Sequence, residues 1–135
     1  MIGIFLINLF YMNRCEFESF VLDNYNACAD FPWYIYPNYE VFRHANSKKW
    51  FAVVMDVPKF RLGLDGEELI DVVNLKCDSV LVGSLLCESG FFPAYHMSKG
   101  SWITVDGTIP DDKIKMLLDM SYHLTDKIKK PRIQR

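Results

Sequence analysis

The chain has 135 residues, enough for one domain, since two independent cores would leave each half small. Half of the residues are apolar and 15% are aromatic, which excludes a disordered chain. A net charge of −2 and a pI near 5.9 exclude a protein that is basic throughout, as one that coats DNA usually is.

The opening Met1–Tyr11 is very apolar, but its 11 residues fall short of the roughly 20 that span a bilayer. It has no basic residues before the apolar run and no small-residue cleavage site after it, so it does not read as a signal peptide. Two readings stand: an apolar extension packed on the domain, or a non-native addition ahead of a start at Met12. Asn13 and Glu16 have the spacing of a capping box. Phe17, Phe20, Val21, Asn24 and Cys28 follow at helical spacing, predicting a helix that stops at Asp30-Phe-Pro32. Trp33-Tyr-Ile-Tyr-Pro37 is an aromatic connector, read as a loop pinned over the core or as a stacking platform.

Two strand-like runs come next, Tyr39–His44 and Trp50–Val57, with a hairpin turn at Asn46-Ser-Lys-Lys49. The stretch Lys59–Asp71, with Gly63 and Gly66, reads as a solvated loop. Val72–Cys77 predicts a third strand, and Asp78 an N-cap for a helix reaching about Cys87, with Gly90 as its terminator. Phe91–Tyr95 leads into His96-Met-Ser-Lys99 and then a strand over Trp102–Val105. Pro110, Asp111 and Asp112 open a last helix whose apolar stripe is Ile114, Leu117, Leu118, Ser121, Leu124 and Ile128. Hairpin-like strand connections with helices before, between and after predict an α+β fold, a largely antiparallel sheet packed against helices.

The four cysteines lack C-x-x-C spacing, so they predict buried free thiols in a reducing, cytoplasmic setting and no metal site. The charge is uneven. Residues 1–95 hold 7 Lys/Arg against 12 Asp/Glu, and residues 96–135 hold 8 against 5, so any anion-binding surface should involve the C-terminal third. There Lys127, Lys129, Lys130, Arg132 and Arg135 cluster with only Asp126 opposing them. Such a cluster attracts phosphates; equally, it complements the dipole of a helix C-terminus.

From Val73 to Pro131 the chain resembles the MmcQ/YjbR family. The residues that carry the likeness are Asn74-Leu-Lys-Cys-Asp78, Tyr95-His-Met-Ser-Lys99, Trp102, Thr104, Asp106-Gly107, Pro110-Asp111 and Ser121-Tyr-x-Leu124 with the basic Lys127–Lys130. Ser98 stands where that family usually has Asn and Ser101 where it usually has His, so of a histidine pair this chain keeps only His96. The resemblance implies the fold shared with bacterial frataxin homologues (the double-wing type) and DNA binding. It also raises the His96–Lys99 segment and the flanking Lys76 to candidate site residues.

The expected nucleic-acid contacts are therefore Lys76, His96, Lys99, Lys127, Lys129, Lys130 and Arg132. The alternative is a protein-interaction or small-ligand module, which an aromatic patch or a pocket at His96 would favour. No catalytic motif is present, and Cys77 with His96 is the one nucleophile–base pair to consider, so no enzyme and no cofactor are expected. Iron, which the frataxin likeness suggests, would need a carboxylate ridge, and the first helix offers only Glu16, Glu18 and Asp23. The expected partners are DNA or another protein, with no membrane, and the chain is expected to be a monomer.

Overall fold

The computed structural model describes residues 12–126. The first helix, α1 (Arg14–Asn24), opens on the expected capping box: Asn13 accepts from the Glu16 amide at 2.8 Å, and Glu16 accepts from the Asn13 amide at 2.9 Å. It is shorter than its periodicity suggests. Tyr25 is already extended, and Ala27–Asp30 forms strand β1, paired with the next strand from Ala27 opposite His44 to Asp30 opposite Val41. Cys28 therefore lies on a strand, where ladder hydrogen bonds outweigh a weak helical period.

The other strands are β2 (Glu40–His44), β3 (Trp50–Pro58), β4 (Leu69–Lys76), β5 (Phe91–Pro93) and β6 (Trp102–Asp106). All pairings are antiparallel, in the order β1-β2-β3-β4-β6-β5. A single 3₁₀ turn (Lys59–Leu62) opens the expected loop, which is shorter than predicted because β4 starts at Leu69. Two further helices complete the fold: α2 (Ser79–Leu85), capped by Asp78 as expected, and α3 (Asp111–Thr125).

Strand alternation sorts the apolar residues onto two faces. Phe42, Ala52, Val54, Leu75 and Ile103 pack beneath Phe17 and Val21 of α1 and Leu117 and Leu118 of α3. On the opposite face Val41, Val53, Met55, Val57 and Val72 form a second cluster, covered by Tyr39, Trp33 and Trp50 rather than by a helix. Leu124 is half-buried, and Ile128 lies outside the described residues.

One irregularity matters for the site. Phe42 pairs with Ala52, but Arg43 pairs with Trp50, so Phe51 is an extra residue bulged from β3. The bulge sends the Phe51 ring into the helix-covered core and leaves Trp50 with the opposite cluster. A regular strand would have placed these two rings the other way round.

The cysteine expectation holds for Cys77 alone. Cys28 is half-buried, and Cys15 and Cys87 are exposed; all four are free thiols. Cys15 lies on the solvent side of α1, and Cys87 follows the end of α2, where the apolar period no longer faces the sheet.

Glu40, at the start of β2, faces α1 and is 2% exposed. Burial, and then the hydrogen-bonded carboxyl of Glu18, push its carboxyl up to about 7, while the Arg14 guanidinium 3.8 Å away pulls the other way. Because the folded state holds this proton more tightly, the stability it contributes is full below about 4.5 and is lost as pH rises through 7. Burial lowers His44, whose contribution runs in the opposite sense: it is full above 6.5 and lost on acidification. Comparing the wild type with Glu40→Gln cancels His44. The variant is expected to be more stable at pH 8, by on the order of 2 kcal/mol, and to lose most of the wild type's decline between pH 5 and 8 in urea melts.

Candidate nucleic-acid interface

β4 ends, α2 leads the chain to the outer edge as β5, and β6 returns between the two. The connection Ala94–Ser101 therefore brings the chain back toward the middle of the sheet on the face that bears no helix, where Tyr95, His96 and Met97 line a cavity with Asn74 of β4. A closed ring of hydrogen bonds fixes its start. The Thr104 hydroxyl donates to Asn74 Oδ1 at 2.5 Å, Asn74 Nδ2 donates to the Tyr95 carbonyl at 2.7 Å, and the Tyr95 amide donates to Thr104 Oγ1 at 2.9 Å. Asn74 and Thr104 are fully buried and face each other across β4 and β6. The next residue, His96, is held at a φ of +64°, a left-handed conformation that costs a non-glycine residue about 1 kcal/mol.

Beneath this segment lies a cavity of about 280 Å³, walled by Trp33, Tyr36, Tyr39, Trp50 and Tyr95, with Asn74 and His96 among its polar groups. Trp33 stands edge-on to Trp50 (5.4 Å, 87°) and to Tyr39 (6.0 Å), while Tyr36 stacks on Tyr39 at 4.6 Å. The aromatic connector thus splits. Trp33 packs onto the sheet, whereas Tyr34 and Ile35 are 97% and 74% exposed. Burial, and then the neighbouring Tyr95 and Tyr36, push the Tyr39 phenol up to about 12, so it keeps its proton at neutral pH.

Of the seven expected contacts, three are described, and they share this side of the sheet. Lys76 is one alternation beyond Asn74 on β4, with its ammonium 5.7 Å from the ring of Trp102, its partner across the ladder. His96 is exposed, its ring 3.9 Å from that of Tyr95 and 6.4 Å from that of Tyr36. Lys99, in the same connection, donates to the Ala94 carbonyl at 3.0 Å. Lys127, Lys129, Lys130 and Arg132 lie outside the described residues. The last helix ends at the same end of the sheet: Thr125 Oγ1 is 2.7 Å from His44 Nε2 at the end of β2, next to the start of β3 and the end of β4.

That end also carries Lys48 and Lys49, read from sequence only as a turn, with Asp78 and Asp126 as its nearby acids. Trp50 and Asn74 also escaped as site residues. Asn74 left a signal as a motif residue of the family resemblance and as a polar residue inside an apolar strand; Trp50 left none.

Cys77 and His96 are not brought together. Cys77 is buried in the helix-covered core, where burial and then Asp78 raise its thiol, and His96 is on the opposite face. Among the described residues no three of His, Cys, Asp and Glu group so as to hold a metal ion, and no helix is long and apolar enough to cross a membrane. A larger cavity, about 580 Å³, lies at the far end of the sheet against Met12. Its charged groups already engage one another or their neighbours: Arg14 pairs with Asp71, Lys59 with Glu68, and Asp106 accepts from Thr108.

The family model YjbR matches residues 22–124, a span that includes β4, the His96 segment and α3. The chain belongs to the YjbR family. Among its relatives, the uncharacterized protein YyaQ of Bacillus subtilis (strain 168) is 38% identical over 116 residues, covering 84% of this chain and 98% of YyaQ. A crystal structure of a Pseudomonas syringae protein is 41% identical with a TM-score of 0.82, over 84% of this chain and 99% of that one. A Deinococcus radiodurans protein, 23% identical with a TM-score of 0.64 over 84% of this chain and 78% of its own, shares the fold. The α+β architecture is thus that of a YjbR protein.

Proposed function

We propose that this YjbR chain is a non-enzymatic nucleic-acid-binding module that works through the sheet face without helices, at the end where β4 leaves the sheet and β6 enters it. The observation that carries the reading is convergence. Lys76 and the His96–Lys99 segment, 20 residues or more apart in sequence, come together at the end of the sheet that also carries the Lys48–Lys49 turn. The last described residues, Thr125 and Asp126, lie beside His44 at the same end. Lysines on one edge neutralise phosphates and release counterions, giving affinity with little sequence preference and steep salt dependence.

Labelled single-stranded and duplex DNA, titrated by fluorescence anisotropy at low and at physiological salt, tests this. Expected are dissociation constants of about 10⁻⁴–10⁻⁶ M at physiological salt. Lys76→Ala with Lys99→Ala should lower the slope of log K against log salt by about 1 for each phosphate left without its lysine. An absence of binding even at low salt contradicts the proposal.

The aromatic cavity favours a second reading, a small-ligand or protein-interaction module, with Tyr34 and Ile35 exposed in the connector that supplies two of its walls. On that reading the Lys76/Lys99 variant leaves binding unchanged and truncation of Tyr36 abolishes it.

A further inference from the structure

We infer that the aromatic-walled cavity beneath His96 takes one unpaired nucleobase of a bound strand, which makes the module a single-strand reader in preference to a duplex clamp. This rests on the nucleic-acid reading and adds the part of the strand that the cavity recognises.

Three features argue for a flat ring. The walls are themselves rings at right angles, Trp33 against Trp50 and against Tyr39, so a planar entrant meets a face on one side and an edge on another. The volume of about 280 Å³ has room for a nucleobase. The polar groups that face the cavity, the His96 ring and the tyrosine hydroxyls, are few and suit the edge of a base, while Asn74 is engaged with Thr104 and Tyr95.

Charge chooses between a base and the other natural guest of an aromatic cage, an organic cation. No Asp or Glu is among the described lining residues. The Arg43 guanidinium, paired with Asp30 at 2.9 Å, already stands 5.4 Å from the Trp50 ring, and Lys76 lies further along the same face. A cation would find no carboxylate in the lining and Lys76 on the same face, whereas a base arrives tethered to a phosphate that Lys76 attracts. The left-handed backbone at His96 belongs to the same design. The buried Asn74–Thr104–Tyr95 ring holds the segment over the cavity before anything binds, so little ordering is left to occur on binding.

The test compares a short labelled oligothymidine with an abasic strand of the same length, on the full chain. The abasic strand should bind about five- to a hundredfold more weakly, the range for loss of one base–aromatic stack. Tyr36→Ala, at a ring already 42% exposed and so outside the packed core, should remove most of that difference while leaving the abasic affinity unchanged. A second readout does not depend on Tyr36. In a Trp102→Phe chain, Trp33 and Trp50 are the remaining tryptophans, and their emission should be quenched by oligothymidine and not by the abasic strand. Equal affinity for the two strands, with no quenching, overturns the inference and leaves the phosphate-binding reading standing. If neither strand binds, both readings fail.

Discussion

Ser121→Ala is expected to destabilise the fold by about 3 kcal/mol, the largest effect of any single-atom deletion outside the apolar core. Ser121 is fully buried on α3, and its hydroxyl accepts from the Lys76 amide at 2.8 Å while donating to the Phe51 carbonyl at 2.5 Å. In the register that pairs Ala52 with Leu75, Phe51 and Lys76 would be the next partners. The β3–β4 ladder stops at Ala52 opposite Leu75, and the hydroxyl bridges the Phe51 carbonyl and the Lys76 amide just beyond it. Removing it strands one buried donor and one buried acceptor, at about 1–3 kcal/mol each. Urea denaturation should show the midpoint falling with an unchanged m-value. Ser84→Ala, whose hydroxyl bonds the Leu81 carbonyl on the exposed side of α2, should change stability by less than about 0.5 kcal/mol. Lys76 loses its backbone anchor in the Ser121 variant, so DNA affinity should fall as well.

Asn74→Leu is expected to cost about 2–3 kcal/mol, with a functional consequence beyond stability. The substitution keeps the approximate volume but leaves the Tyr95 carbonyl without its donor and the Thr104 hydroxyl without its acceptor. Thr104→Val should cost a similar amount, because it orphans the Tyr95 amide. Combined, the two changes should cost less than their sum, by about 1 kcal/mol, since the bond between them can be broken only once. Both variants free the Tyr95–His96 segment from the sheet. The preference for oligothymidine over the abasic strand should therefore shrink, even at temperatures where the variants remain folded, while phosphate binding through Lys76 persists. A binding preference that survives in folded Asn74→Leu contradicts the positioning role given to this ring of hydrogen bonds.

The parts of the fold legible in the sequence are those set by local chemistry. The capping box at Asn13, the Asp78 cap, the turn around Asn46–Lys49 and the stripe of α3 each depend on side chains within a few residues of one another. What escaped depends on partners distant in sequence. Ala27–Asp30 continues the helical period of α1 yet becomes a strand because β2 supplies its ladder. Phe91–Pro93 is too short to register as a strand until β6 lies beside it. The bulge at Phe51 decides which aromatic enters the core and which walls the cavity, and two adjacent aromatics carry no hint of that choice. For the site, the motif residues Asn74, Tyr95, His96 and Thr104 could be named from the family resemblance, but their joint role as a hydrogen-bonded ring appears only when β4 and β6 are paired. The basic cluster was legible as charge; that Lys48 and Lys49 share the end of the sheet with Lys76 was not.

One side of the sheet, at one end, is proposed to hold a nucleic-acid strand. A titration of the ¹⁵N-labelled chain with oligothymidine, followed by amide shifts, tests it most directly. The expected shifts concentrate at Trp33–Tyr39, Lys48–Trp50, Asn74–Lys76 and Tyr95–Trp102, saturating together at low salt and vanishing as salt is raised. Shifts confined to the outer faces of α1 and α3, or none at any salt, would contradict it.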